Sequence, residues 1–190
     1  VLCEACRQAQ AWVDAGLPAM VMAVNVAPVQ FRQCGFVDVV AGALASSGLA
    51  ASLLELELTE RTVMNDAEVN MGTLAALHRM GVGLSLDDFG TGYSSLAYLK
   101  RFPVGKLKID RSFVRDLETD QDDRAIASTI VSMGRNLRLT VLAEGVETQQ
   151  QLALLRSMDC DMAQGFLFSR ALSADKMTEL LRLQPFLNQE

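Results

Sequence analysis

Leu54-Glu55-Leu56-Glu57-Leu58-Thr59-Glu60 is the stretch that decides the fold. Its leucines fall on every second residue, and side chains along a β-strand point alternately to opposite faces. One face is all leucine; the other carries Glu55, Glu57 and Thr59. An aliphatic face of this kind packs on helices, so the charged face must look into a space that tolerates carboxylates. Lys106-Leu107-Lys108-Ile109-Asp110 repeats the design, with Leu107 and Ile109 opposite Lys106 and Lys108. Glu57 and Lys108 are thereby expected to point into one shared mouth.

Working outward, further apolar runs occupy residues 22–26, 53–59, 83–89, 106–110, 140–146 and 163–169. Helical stretches separate them. Residues 122–137 place Ile126, Ile130, Met133 and Leu137 at helical spacing behind an acidic first turn. Thr148 with Gln151 spells a capping box ahead of Leu152 and Leu155. Ser173 can cap a last helix whose apolar stripe is Met177, Leu180 and Leu181. Residues 1–13 read as a helix with no capping residue before it, as in a chain that starts inside an element.

Six strands alternating with helices imply parallel βαβ units, in an open doubly wound sheet or a closed barrel. No glycine-rich phosphate loop follows any strand, which weighs against a nucleotide-binding open sheet. The strand ends favour the barrel. They carry Asn25, Glu57 with Glu60, Asp87 with Asp88, Lys108 with Asp110, Glu144 with Glu147, and Gln164. Barrel enzymes collect their catalytic groups at the C-terminal ends of the strands. The expected fold is α/β, a modified (β/α)8 TIM-type barrel with about six of its eight βα units in this chain.

Composition narrows the chemistry. The 190 residues are 50% apolar and only 6% aromatic, so the core is expected to be aliphatic. The net charge of −6 disfavours a nucleic-acid polymer as partner, since such affinity comes mainly from cationic side chains on phosphates. Four cysteines (Cys3, Cys6, Cys34 and Cys160) and one histidine, His78, make a poor zinc set, and reduced thiols are expected. No membrane-length apolar run or signal peptide is visible, so a cytoplasmic domain is expected, in a parent protein that could be membrane-anchored.

Glu57, Asp87, Asp88 and Glu144 in one mouth would repel one another and raise each other's pKa values. Divalent cations relieve this, and the oxygen donors, with the Asn25 amide, suit Mg2+ or Mn2+. Two such ions would let an acidic protein hold a phosphodiester and activate water. Adjacent Asp87 and Asp88 would face opposite ways unless the strand ends or bulges there, and Gly90-Thr91-Gly92 makes a change of direction easy. The residues alone reach metal-assisted hydrolysis of a phosphate ester, with Lys108 orienting water or neutralising charge.

The segment Asp87-Asp88-Phe89-Gly90-Thr91-Gly92-Tyr93-Ser94-Ser95-Leu96 resembles the signature loop of the EAL family of cyclic-di-GMP phosphodiesterases. V-N-V at 24–26, E-L-T-E at 57–60, K-I-D at 108–110, A-E-G-V-E at 143–147 and Q-G-F at 164–166 follow the family's order. The resemblance spans essentially the whole chain. It implies hydrolysis of cyclic-di-GMP to linear pGpG by a two-metal mechanism with Mg2+ or Mn2+ in bacterial second-messenger signalling. It places Asn25, Glu57, Asp87, Asp88 and Glu144 at metal positions, with Asp87 bridging two metals. Lys108 falls near the attacking water, Glu144 is a candidate general base, and Asp88 joins them as catalytic. Gln164, Glu147 and Asp110 are assigned to the substrate side. Glu60, Gly90, Thr91, Gly92 and Ser94 match the loop that organises metal binding and dimerisation.

The family's Glu-Ala-Leu tripeptide, whose glutamate is a metal ligand, is absent, as is the arginine after it that helps hold substrate. Ala27 and Ala171 stand where Ser and Pro are frequent in the family. Residues 1–190 are therefore expected to be one N-terminally truncated domain, nearly inactive as it stands and with open barrel edges prone to association. Two alternatives follow: a cyclic-di-GMP sensor without turnover, and a docking module. The expected partners are cyclic-di-GMP, a second copy in a homodimer, and a fused GGDEF or sensor module.

Overall fold

The computed structural model describes residues 1–91 and 96–183, with no account of the Leu96 side chain. In chain order the elements are α1 (Leu2–Asp14), β1 (Met22–Asn25), α2 (Pro28–Phe31), α3 (Phe36–Ser47), β2 (Leu54–Thr59), α4 (Glu60–Met64) and α5 (Ala67–Arg79). There follow β3 (Gly83–Phe89), α6 (Leu96–Leu99), β4 (Lys106–Ile109), α7 (Arg111–Arg115), α8 (Gln121–Leu137), β5 (Thr140–Ala143), α9 (Gln149–Ser157), β6 (Met162–Ala163) and α10 (Ala174–Arg182).

The six strands form one parallel sheet in the order β1-β2-β3-β4-β5-β6, curled into part of a barrel with the helices outside. Among the described residues, β1 and β6 each pair on one side only. The strand alternation behaves as expected. Leu54, Leu56 and Leu58 are fully buried under the helices, as are Leu86, Leu107 and Ile109. Each buried leucine is worth about 1.5–3 kcal/mol in apolar transfer. The inward face carries Glu55 and Glu57 on β2, Gly83, Ser85 and Asp87 on β3, and Lys106 and Lys108 on β4. Strand register sets Asn25 beside Glu57, Glu57 beside Ser85, and Thr59 beside Asp87.

Local capping explains the helix starts. Thr148 Oγ1 accepts from the Gln151 N–H while the Gln151 side chain reaches back to the Thr148 N–H, closing the capping box. Ser173 caps α10 through the Lys176 N–H. The long helix α8 starts one residue before the apolar periodicity suggests, because Asp120 caps it by accepting from the N–H groups of Asp122 and Asp123.

The last two strands are shorter than the apolar runs 140–146 and 163–169. β5 stops at Ala143, and β6 is two residues long. The reason lies at Gly165. A Cβ there would collide with the Val146 backbone, so two backbones cross in contact where a strand would need side chains. Gln164 N–H donates to Ala143 O, and Val146 N–H returns a bond to Gln164 O, so the loops after β5 and β6 hold each other.

Candidate active site

β2, β3 and β4 and the residue after β5 deliver their polar side chains to one point. The Lys108 ammonium lies 2.8 Å from Glu57 Oε1, 3.3 Å from Asp87 Oδ1 and 2.6 Å from Glu144 Oε1. Lys108 is only 3% exposed. A buried ammonium is tolerated only when it is paired and hydrogen-bonded. Burial by itself would depress the Lys108 pKa; hydrogen bonds and charge from Glu144 and Glu57 outweigh it and hold the ammonium above its ordinary range. Glu144 is pushed up, chiefly by burial and further by the charges of Asp87 and Glu57, against the pull of Lys108.

Asp88 resolves the parity problem of the adjacent aspartates. Between the register pairs Leu86–Leu107 and Phe89–Ile109, β3 advances three residues while β4 advances two. That extra residue is a bulge, and Asp88 sits beside it at φ +54°. Its carboxyl thereby faces Asp110 instead of Lys108. Burial, then the charges of Asp87 and Asp110, push the Asp88 pKa up. Burial would also raise Asp110, but hydrogen bonds from the Ser112 hydroxyl and N–H, where Asp110 caps α7, hold it low.

The loop after β3 is tied to the end of β2. Gly90 N–H donates to Glu60 Oε2 at 3.2 Å, and Glu60 is 3% exposed. Gly90 has φ +98°, a conformation costly for any side chain, and a Cβ there would press on Phe113 and Ile130. Thr91 Oγ1 donates back to Asp88 O at 2.8 Å. Gly92, Ser94 and their neighbours Tyr93 and Ser95 lie outside the described residues.

The other expected site residues are placed further out. Asn25 is exposed at the end of β1, in register with Glu57. Gln164 is exposed and makes only backbone bonds among the described residues. Glu147 stands apart from Lys108, where its N–H donates to Gln151 Oε1 at 2.7 Å. It lines a groove of about 570 Å³ with Asp110, Arg111, Ser112, Arg115, Gly145 and Gln151. A second groove, about 660 Å³, is lined by Thr59, Glu60, Arg61, Met64, Asn65, Asp88 and Thr91. Both grooves combine arginine with acidic groups, so each could hold part of an anionic ligand near the carboxylates.

Two features of the inner face escape the reading of the motifs. One layer below Lys108, Lys106 Nζ donates to both oxygens of Glu55 at 2.9 and 2.7 Å. Beside that pair, Ser85 is fully buried, and its Oγ is the buried side-chain atom left without a hydrogen-bond partner among the described residues. The alternation Gly83-Leu84-Ser85-Leu86-Asp87 is the available signal for Ser85.

The donor set bears on the expected metal. Glu57, Asp87 and Glu144 offer only oxygens, which fits a hard divalent cation. Among the described residues, however, no three His, Cys, Asp or Glu side chains stand ready together as a metal cage. Their oxygens close on the Lys108 ammonium instead. The donors fit in kind, and holding a cation would require them to exchange contacts with Lys108.

A barrel whose strand ends gather carboxylates around a buried lysine, beside a D-D-F-G loop, defines a class, and the EAL domain family matches residues 1–171. The chain belongs to the EAL domain family. It is 50% identical over 177 residues to the bifunctional diguanylate cyclase/cyclic di-GMP phosphodiesterase MucR of Pseudomonas aeruginosa, covering 93% of this chain and 26% of MucR. It is 47% identical to the cyclic di-GMP phosphodiesterase NbdA of the same organism, covering 98% of this chain and 24% of NbdA. The chain thus spans about a quarter of the length of these relatives. The MucR phosphodiesterase in complex with c-di-GMP superposes with TM-score 0.90 at 49% identity, over 93% of this chain and 71% of that one. BlrP1 of Klebsiella pneumoniae, solved with manganese and c-di-GMP, gives TM-score 0.78 at 33% identity, over 89% of this chain and 44% of that one. Among the described residues no helix is long and apolar enough to cross a membrane.

Proposed function

We propose that the EAL domain represented by this chain serves to hydrolyse a phosphodiester of cyclic-di-GMP to linear pGpG with two divalent cations, Mg2+ or Mn2+. The observation that carries this is the convergence of Glu57, Asp87 and Glu144 on Lys108 at the C-terminal strand ends. MucR and NbdA, named as cyclic di-GMP phosphodiesterases, support the substrate, and the manganese complex of BlrP1 supports the ion.

Asn25, Glu57, Asp87, Asp88 and Glu144 would hold the cations, which supply Lewis-acid activation of water and of the phosphoryl oxygens. With cations bound, Lys108 would be released in part from its carboxylates and would keep a positive charge beside the attacking water. Glu144, 2.6 Å from the Lys108 ammonium in the same cluster, is the candidate to take that water's proton. Asp110 and Glu147 present acceptors, and Arg111 a cation, to the ligand on one side. On the other, Glu60 accepts from the Gly90 N–H and ties the start of the loop in place. A homodimer and a fused GGDEF or sensor module belong to the same proposal for the longer protein.

Sensing without turnover is the second reading. It is favoured by the way Lys108 already neutralises the carboxylates. The deciding experiment is incubation of the chain with cyclic-di-GMP and Mn2+, followed by chromatography of the products, beside Asp87→Ala. Appearance of pGpG that the substitution abolishes supports the enzyme. Calorimetric binding with no product supports the sensor, and near-normal turnover by Asp87→Ala would refute the cation site.

A further inference from the structure

We infer that Ser85 is a positioning residue for Glu57: its hydroxyl holds the Glu57 carboxylate in the orientation a divalent cation requires, one in which Lys108 has let go. This rests on the cation site proposed above. The argument begins from the orphaned hydroxyl. Ser85 is fully buried and its Oγ has no partner among the described residues. Leaving a buried polar group unpaired is destabilising, since it loses its water partners and gains none.

The hydroxyl faces the site. Gly83, two residues earlier on β3, would place a Cβ 3.4 Å from Glu55 Cβ, and Asp87, two residues later, reaches Lys108. Ser85 lies between them on the same inward face. Its in-register neighbours are Glu57 on β2 and Lys106 on β4. An O–H needs an acceptor, and an ammonium offers none. Lys106 is in any case directed to both oxygens of Glu55. Asp87 is two residues along the same strand, about 6–7 Å away by strand rise, whereas β2 is about 4.8 Å away. Glu57 is therefore the acceptor within reach.

In the structure Glu57 is instead drawn to Lys108, 2.8 Å from its Oε1, while the Ser85 hydroxyl has no partner among the described residues. A rotation of the Glu57 carboxylate from Lys108 to Ser85 satisfies the hydroxyl and frees carboxylate oxygen for a cation. Partners that orient a metal-binding carboxylate in this way are typically worth about 10–100-fold in affinity. The same logic predicts opposite signs in the two states, because deleting the hydroxyl removes an unpaired group from one and a hydrogen bond from the other.

The test uses the whole chain and its Ser85→Ala variant. Mn2+ affinity is measured by electron paramagnetic resonance titration, and the thermal midpoint is measured in chelator. The expected result is about a tenfold rise in the Mn2+ Kd, with a midpoint in chelator no lower than that of the parent. A Kd within twofold of the parent would overturn the inference and leave the cation site standing. A lowered midpoint in chelator would overturn it too, by giving the hydroxyl a structural partner in the cation-free protein. If the parent chain itself binds no Mn2+, the cation site fails and the role of Ser85 with it.

Discussion

Replacing Lys108 by Met keeps most of the side-chain volume and removes the one charge that three carboxylates share. Lys108 is 3% exposed, and the side chains of Glu57, Asp87 and Glu144 are 10%, 12% and 21% exposed, so solvent screens the cluster weakly. Removing one partner from a buried ion pair costs about 3–5 kcal/mol, because the remaining charges stay buried without compensation. For a chain of this size that corresponds to a fall of about 6–20 °C in Tm. The pH dependence follows from linkage. Without the ammonium, Glu144, already held above its ordinary carboxylate range by burial, loses the Lys108 pull and rises further above its unfolded value of about 4.3. A group raised in this way contributes stability below its unfolded pKa and loses it as pH rises through the folded pKa. The deficit of Lys108→Met is therefore full at pH 8 and shrinks toward pH 4. Lys108 itself has a raised pKa in the parent, so its contribution stays constant over that range. Urea unfolding followed by circular dichroism at pH 8, 6 and 4.5 reads the difference. Equal stability of parent and variant at pH 8, within about 1 kcal/mol, would refute the claim that Lys108 neutralises the cluster. A deficit independent of pH would refute its electrostatic origin.

Asp88→Asn is expected to raise the unfolding midpoint at pH 8, with the gain narrowing toward pH 4. Asp88 has its pKa raised by burial and by Asp87 and Asp110, so its ionisation opposes folding above that pKa. Asn accepts φ +54° at least as well as Asp, and any benefit from that source would be independent of pH. Urea titrations at the two pH values separate the two effects, and a gain that does not narrow would discard the charge argument. The thiols give a second check, on packing. Maleimide labelling read by mass spectrometry should modify exposed Cys3 and Cys34 first. Cys160 should follow more slowly, since burial raises its pKa and its thiol donates to the Val141 and Met162 carbonyls. Cys6, at 0% exposure, should react only on unfolding. Equal rates for Cys3 and Cys6 would show that α1 does not pack as described.

How much of the fold and site is legible in the sequence depends on which physical rule each feature obeys. Alternation has a period of two and no free parameter, so Leu54-Glu55-Leu56-Glu57 names its own faces. Caps are equally local, and Thr148 with Gln151 needs only four residues to be read. The shortened β6 is not legible, because what ends it is Gly165 lying against the Val146 backbone, a contact between residues distant in sequence. The bulge at Asp88 is only half legible for a similar reason. Two adjacent aspartates say that one must turn, and only pairing with β4 says where. Alternation also says which face a residue occupies without saying who neutralises it. By residue type, Glu57, Asp87 and Glu144 are carboxylates awaiting cations, and Lys108 has a supporting part. The folded chain reverses the emphasis: the lysine is at the centre, and a cation held as proposed would compete with it for the same oxygens. That competition has a consequence for selectivity. At the proposed site a monovalent ion would offer no more charge than the ammonium already there, whereas a divalent ion would gain from the exchange. Barrel geometry and carboxylate count alone would not have required this discrimination; the buried Lys108 does.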